Sequence, residues 1–398
     1  RLSLAGLRDS PAMTTGFDAL AAGGAAAAVT AALTPVTMWL ARRVGRHAID
    51  QPRDRGLAEQ PTPRLGGLAI WSGVLVGMLV WLPIRDEWRA VLYASLLIVL
   101  VGALDDVFDL PPVVKLGGQI GAAFLVANEA AVDNFTLPFV GRVDLSEPVA
   151  VLVTILGLVL IMNAVNFSDG VDGLAAGVCM IAALAFAFIA FDITGRNAGT
   201  AHIAGVLSAI VAGAALGFLV WNSFPARTFM GDSGSNLLGL LLGCVAILGS
   251  VKTSALVGLI APLAVLAVPF LDTTFVVLKR MKYRRPIHVA DANHFHHRFS
   301  RIGFSQRRTV VYLYAWTTAL AGTAVALRFV PYSDDHGNFN TGWTLLMAAI
   351  LLVALAASVY LVYLLEILKL RRRFRRETDE QIEQRLETGE FEAVQAEP

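Results

Sequence analysis

Asn163-Ala-Val-Asn166-Phe-Ser-Asp169-Gly-Val-Asp172-Gly-Leu-Ala-Ala-Gly177 lies between two long apolar runs, and its reading decides the fold. Polar residues recur at every third position: Asn163, Asn166, Asp169 and Asp172. Carboxylates beside hydrocarbon are costly and mark function by default. At about 100° per residue, a step of three turns the stripe by about 60° each time. One regular helix therefore cannot aim all four side chains at one point. The helix has to break, and Gly170 and Gly173 are placed to break it. Broken helix at membrane depth is tolerated only where it lines a wet or protein-filled cavity. The stretch predicts a polar site at the mouth of a helical membrane bundle.

The rest of the chain agrees. Of 398 residues, 56% are hydrophobic and 16% charged, with mean hydropathy +0.63, whereas soluble domains carry about 25% charged residues. The expected fold is all-α, a polytopic integral membrane bundle. Runs near the ~20 residues needed to cross a bilayer fall at 17–41, 66–83, 89–104, 115–130, 148–165, 174–192, 200–221, 236–250, 254–279, 309–330 and 342–368, about eleven helices. The runs at 115–130 and 236–250 are short. Pro262 and Pro269 are expected to kink the ninth. Residues 1–16 are set apart as a leader or extended start, with Met13 as a candidate initiator. Residues 17–370 form the transmembrane domain, and 371–398 a basic then acidic tail. Cys179 and Cys244 lie in apolar runs without ligand spacing and read as small core residues.

The net charge of +1 decides nothing, but the placement of basic residues does. Arg42, Arg43, Arg46, Arg53, Arg55 and Arg64 cluster in one loop. Lys279, Arg280, Lys282, Arg284, Arg285, Arg298, Arg301, Arg307 and Arg308 fall in another segment, and Lys369 to Arg376 open the tail. An N-terminus outside and a C-terminus in the cytoplasm put all three on the cytoplasmic side.

That topology also brings five polar motifs to the cytoplasmic face. Asp50-Gln-Pro-Arg-Asp-Arg55 with Arg64-Leu-Gly-Gly67 suits phosphate approach at a helix start, although an anchoring loop would look the same. Asp105-Asp106, with Asp109 and Lys115 after it, ends an apolar helix; adjacent residues diverge by about 100°, so one carboxylate can face a metal and the other a nucleophile or cation. The opening stretch is the third motif. In the fourth, Gly231-Asp232-Ser-Gly234, backbone amides and a carboxylate can converge on phosphate-bound Mg²⁺. The fifth, Asp291-Ala-Asn-His294-Phe-His296-His297-Arg298, holds with His288 four of the seven histidines. Zinc is a weaker reading there than a phosphate, because no cysteine accompanies the imidazoles and the arginines nearby would repel a cation. Carboxylates for Mg²⁺ flanked by Arg and His suit phosphoryl transfer between a nucleotide conjugate and a lipid phosphate.

Taken in order, Asp105-Asp106, Asn163-x-x-Asn166-x-x-Asp169-Gly-x-Asp172-Gly-Leu, Met230-Gly-Asp232-Ser-Gly-Ser and His294-x-His296-His297 resemble the polyprenyl-phosphate N-acetylhexosamine-1-phosphate transferases, glycosyltransferase family 4. Each motif alone is weak; the ordered set, from about Asp50 to Arg308, is specific. The His-x-His-His-Arg pattern followed by Gly303-Phe-Ser-x-Arg resembles the WecA/TagO-type GlcNAc-1-phosphate branch, whereas the muramoyl-pentapeptide branch usually carries three histidines in a run, which Phe295 interrupts here. The resemblance implies an enzyme of the bacterial plasma membrane. It would pass GlcNAc 1-phosphate from UDP-GlcNAc to undecaprenyl or decaprenyl phosphate, release UMP, use Mg²⁺ (or Mn²⁺ in its place), and begin a cell-envelope glycan. Implied partners are these substrates and the bilayer, with no nucleic acid; a homodimer is compatible.

Carried over residue by residue, the resemblance makes Asp105, Asp106 and Asp232 catalytic, with Asp232 and Asp106 as metal ligands. It gives Arg64, Lys115, Asn163, Asn166, Asp169, Asp172, His294, His296, His297 and Arg298 to substrate. Family mechanisms divide between direct attack and an aspartyl intermediate; a phosphate monoester with a second pKa of about 6 is already largely ionised at neutral pH, which favours direct attack. One departure is that Arg55 is followed by Gly56, Leu57 and Ala58 where the family often has Lys and His. Other donors, UDP-MurNAc-pentapeptide or another UDP-N-acetylhexosamine, would use the same chemistry. A transporter would show a second broken segment in its other half, and no second Asn-x-x-Asn-x-x-Asp stretch exists. A CDP-dependent lipid phosphotransferase would share the Asp-Gly pairs, but the Ala-Arg and later paired aspartates of its motif are not present.

Overall fold

A computed structural model describes residues 16–50, 61–83, 86–137, 141–193, 200–250, 305–329, 340–350 and 352–360. The expected ninth span, the histidine-bearing loop and the Arg53–Ala58 segment lie outside these. The described chain is helical. Its helices are α1 (Gly16–Val44), α2 (Gly66–Trp81), α3 (Asp86–Phe108), α4 (Pro112–Glu129), α5 (Glu147–Ser168), α6 (Leu174–Ile193), α7 (Thr200–Asn222), α8 (Gly231–Ser250) and α9 (Gln306–Arg328). A further apolar helix, α10, covers Thr341–Tyr360.

Eight helices among the described residues are long and apolar enough to cross a membrane: α1, α3, α5, α6, α7, α8, α9 and α10. The expected runs at 66–83 and 115–130 are helical too. However, α2 has only 16 residues, and α4, which carries Lys115, is not apolar enough to count. Two short hairpins interrupt the helices. β1 (Ile49–Asp50) pairs antiparallel with β2 (Thr62–Pro63), and β3 (Asn134–Leu137) with β4 (Gly141–Asp144).

Small residues set how closely the helices approach, as packing without a hydrophobic driving force requires. On α7, a Cβ at Gly213 would stand 1.9 Å from the Gly23 carbonyl oxygen of α1, and one at Gly217 would stand 2.2 Å from that of Ala27. Trp221 at the end of α7 then donates its indole N–H to the Ala31 carbonyl of α1, 2.9 Å. The core fills with Ile70, Ile98, Leu158, Met162, Leu207, Ile210, Phe218 and Leu237, all buried. Leu96, Leu100 and Leu104 on α3, and Leu152, Leu156 and Leu160 on α5, recur every fourth residue and stay exposed. Such stripes suit contact with lipid chains, where every backbone polar group is already satisfied within its helix. Cys179 and Cys244 are free and buried, as expected of core residues.

The chain direction alternates, so α3, α5 and α7 end where α4, α6 and α8 begin. Arg42 and Arg43 in the last turn of α1 and the β1–β2 hairpin lie at this same end. The β3–β4 hairpin, between α4 and α5, lies at the other.

Candidate active site

The break foreseen in the opening stretch runs from Asp169 to Gly173, between α5 and α6. Gly173 carries it, with φ at +77°, where a side chain would be strained. A second left-handed glycine, Gly231 (φ +67°), opens α8, and a Cβ there would stand 2.4 Å from either carboxylate oxygen of Asp106. Gly173 lets the chain turn, while Gly231 leaves the space that the Asp106 carboxylate fills.

Asp232 is the second residue of α8 and the centre of the cluster. Its Oδ2 accepts from Lys115 Nζ at 3.0 Å, and Lys115 reaches Asp105 Oδ2 at 2.6 Å. Its Oδ1 accepts from Asn166 Nδ2 at 3.0 Å, and the same amide donates to Ser235 Oγ at 2.9 Å. Asp106 comes from 126 residues away in sequence and meets the start of α8. Its Oδ1 accepts the Asp232 backbone N–H (2.7 Å), and its Oδ2 accepts the Ser233 N–H (3.2 Å) and hydroxyl (2.7 Å). A carboxylate from α3 thus occupies the N-terminal, electropositive end of α8, where helix N–H groups lack partners.

Asp105, Asp106 and Asp232 each offer a carboxylate oxygen within 4.8 Å of the others. Hard oxygen donors in that number suit Mg²⁺. The charge argues likewise: three carboxylates and one lysine carry a formal −2 in a site where Asp105 and Asp106 are buried, and a divalent cation would neutralise it. The donor set therefore fits the metal that the sequence called for.

The other residues expected at the site divide. Asn163 points one turn deeper and donates to Gln119 Oε1 at 2.8 Å and to the Val159 carbonyl. Gln119 in turn donates to Asn236 Oδ1 (2.8 Å), and Asn236 donates to the Asp232 carbonyl (2.8 Å). Asn163 therefore belongs to an amide ladder tying α4, α5 and α8 together beneath the cluster. Asp172 Oδ2 accepts the Ala226 N–H (2.9 Å) in the loop before α8. Arg64 pairs with Asp50 across the β1–β2 hairpin and approaches Asp109 at 3.9 Å, so its guanidinium is engaged at the rim. His294, His296, His297 and Arg298 lie outside the described residues.

Gln119, Ser233, Ser235 and Asn236 are site residues without a role in the sequence motifs. A usable signal existed for two of them. Gln119 follows Lys115 by four residues and Asn236 follows Asp232 by four, so each shares its partner's helix face.

Asp169 sits in the break itself. Burial pushes its carboxyl up to about 8, and the charges of Asp232, Asp106 and Asp172 push the same way. Since this pKa is raised above its unfolded value, the folded state holds a proton that the unfolded state releases as pH rises from about 4. Stability contributed this way is fully present below the unfolded pKa and lost as pH climbs to about 8. In metal-free protein, Asp169→Asn should raise the melting temperature above wild type at pH 8.5 and leave it nearly equal at pH 4.5. Thermal melts in detergent with a chelator check this, and equal differences at both pH values would contradict the buried-acid assignment.

The family model described as glycosyl transferase family 4 matches residues 88–250, from α3 to the end of α8. A probable undecaprenyl-phosphate N-acetylglucosaminyl 1-phosphate transferase of Bacillus subtilis is 34% identical over 299 residues, 74% of this chain and 81% of its own. The chain belongs to glycosyl transferase family 4. Within that family, the decaprenyl-phosphate N-acetylglucosaminephosphotransferase of Mycolicibacterium smegmatis is 35% identical over 360 residues, 84% of this chain and 86% of its own. A phospho-N-acetylmuramoyl-pentapeptide-transferase of Desulforudis audaxviator is 32% identical over 341 residues, 77% of this chain and 97% of its own.

Proposed function

We propose that the protein transfers GlcNAc 1-phosphate from UDP-GlcNAc to a polyprenyl phosphate, releasing UMP and leaving polyprenyl-diphospho-GlcNAc. The observation that carries this reading is the meeting of Asp105, Asp106, Asp232 and Lys115 at one end of a membrane bundle. Relatives named for this reaction, 34% and 35% identical over most of both chains, support it.

The site faces the cytoplasm, where UDP-sugars are found. Arg42 and Arg43 at the same end of the bundle support that orientation by the positive-inside rule. Asp232 and Asp106 would hold Mg²⁺, which would supply charge neutralisation for the diphosphate. Lys115, oriented by Asp105, receives the lipid phosphate; its side chain, 37% exposed, is the most open of the four groups and can turn from the carboxylates to a phosphate oxygen. An oxygen of the lipid phosphate then attacks the sugar-bearing phosphorus. The new P–O bond forms as the bond to the UMP phosphate breaks, and UMP leaves with the electron pair. No general base is required, because the monoester is largely ionised with a second pKa of about 6. Asn166 fixes the carboxylate of Asp232, while Asp169 and Asp172 line the nucleoside side. His294, His296, His297 and Arg298 grip the donor diphosphate, and Arg64 orders the rim.

Release of UMP by purified protein in detergent, with polyprenyl phosphate and Mg²⁺, tests the reading. UDP-GlcNAc and UDP-MurNAc-pentapeptide are supplied in parallel. UMP is expected with UDP-GlcNAc alone. UMP with only the peptide donor would keep the chemistry and overturn the donor. No UMP with either, from folded protein, would overturn the assignment.

A further inference from the structure

The turn that bears Asp169 and Asp172 is held by a residue from far along the chain. Gly173 closes the turn, and both of its backbone groups are taken. Its N–H donates to Asn222 Oδ1 at 3.0 Å. Its carbonyl accepts the first helical bond of α6, from the Gly177 N–H at 3.0 Å, and also the hydroxyl of Tyr314. Asn222, buried, reaches the other way to the Thr228 carbonyl at 2.9 Å, so the turn and the loop before α8 are clasped together.

Tyr314 lies on α9, beyond the residues that the family model matches. Its ring occupies a notch made by Gly177, where an added Cβ would stand 1.9 Å from the phenol oxygen. The notch sets the ring, and the ring sets the hydroxyl on the Gly173 carbonyl. A tyrosine packed on glycine in this way serves no obvious purpose in packing alone, since phenylalanine would fill the same notch.

We propose that Tyr314 is a positioning residue for donor binding: its hydroxyl, through the Gly173 carbonyl, holds the Asp169–Asp172 turn in the geometry that receives the nucleoside end of the UDP-sugar. This rests on the transferase reading. It predicts a defect confined to the donor, because the lipid phosphate is received by Lys115 on α4, oriented by Asp105 on α3.

Tyr314→Phe removes the hydroxyl and keeps the ring. Two measurements on the full chain in detergent separate the outcomes. Hydrogen exchange of peptides spanning 169–177 is expected to speed up by about two- to tenfold, the worth of one hydrogen bond, with other helices unchanged. The KM for UDP-GlcNAc is expected to rise by a similar factor, while kcat and the KM for polyprenyl phosphate stay within about twofold. Unchanged exchange at 169–177, or faster exchange throughout the chain, would overturn the pin. Faster local exchange with an unchanged donor KM would overturn its part in donor binding. Wild-type protein that releases no UMP would overturn the transferase reading alone, and the exchange difference would then decide the pin by itself.

Discussion

Asp232→Asn is expected to lower UMP release by about 10³-fold while leaving the protein folded, the scale of losing one group that stabilises developing charge in an active site. The substitution is chosen for what it keeps. An amide retains the oxygen that accepts from Asn166 Nδ2, and the backbone N–H of residue 232 still donates to Asp106 Oδ1. It loses the charge that pairs with Lys115 and that the proposed metal would need. The new NH₂ faces Lys115 Nζ, donor against donor, while repulsion with Asp105 and Asp106 is relieved, so the melting temperature without Mg²⁺ should fall only slightly below that of wild type. Turnover and thermal melts on the same preparations check both halves. Near-normal turnover would remove Asp232 from the centre of the site, and a collapsed melting temperature would recast it as a structural residue.

The sequence displayed the site's composition more fully than its division of labour. Periodicity alone required a break between Asn163 and Gly173, because polar residues spaced by three cannot share a helix face, and the break falls at Asp169–Gly173. Lys115, ten residues after Asp105, is a candidate from sequence and lies between Asp105 and Asp232. What spacing could not show is which polar residues serve one another. Asn163 is spent on Gln119, and Arg64 on Asp50, through packing between segments that sequence places 44 and 14 residues apart. Tyr314 lay hidden for the same reason: an aromatic residue in an apolar helix looks like core until Gly173 and Gly177 are seen beneath it. The number of spans was harder still. A 16-residue helix such as α2 can read as a span by composition, yet fall short of the ~20 residues that crossing requires.

Asp106→Ala should behave unlike Asp232→Asn, with activity and stability lost together. Asp106 accepts three hydrogen bonds at the start of α8, from the Asp232 N–H, the Ser233 N–H and the Ser233 hydroxyl. No water is expected to replace it freely, since Asp106 is 4% exposed and Ser233 fully buried. Removing the carboxylate leaves helix N–H groups buried without acceptors, a loss of about 2–3 kcal/mol in keeping with the upper range for a cap and with the penalty for unsatisfied buried donors. The surroundings allow little collapse into the gap. Gly102 and Gly67 already bring α3 and α2 so close to Ser233 that a Cβ on either would fall 2.4 Å from a Ser233 atom. With the cap gone, α8 can fray at the residue whose carboxylate is proposed to hold the metal, so UMP release should fall by about 10²-fold or more even where the bundle survives. Asp106→Asn should rescue little. Its amide can supply one oxygen, but its NH₂ must then face the Ser233 N–H, donor against donor. Thermal melts and UMP release for the two variants test this together. A stable, inactive Asp106→Ala would make Asp106 purely a ligand, and a stable, active one would show that α8 needs no carboxylate from α3 to hold Asp232 in place.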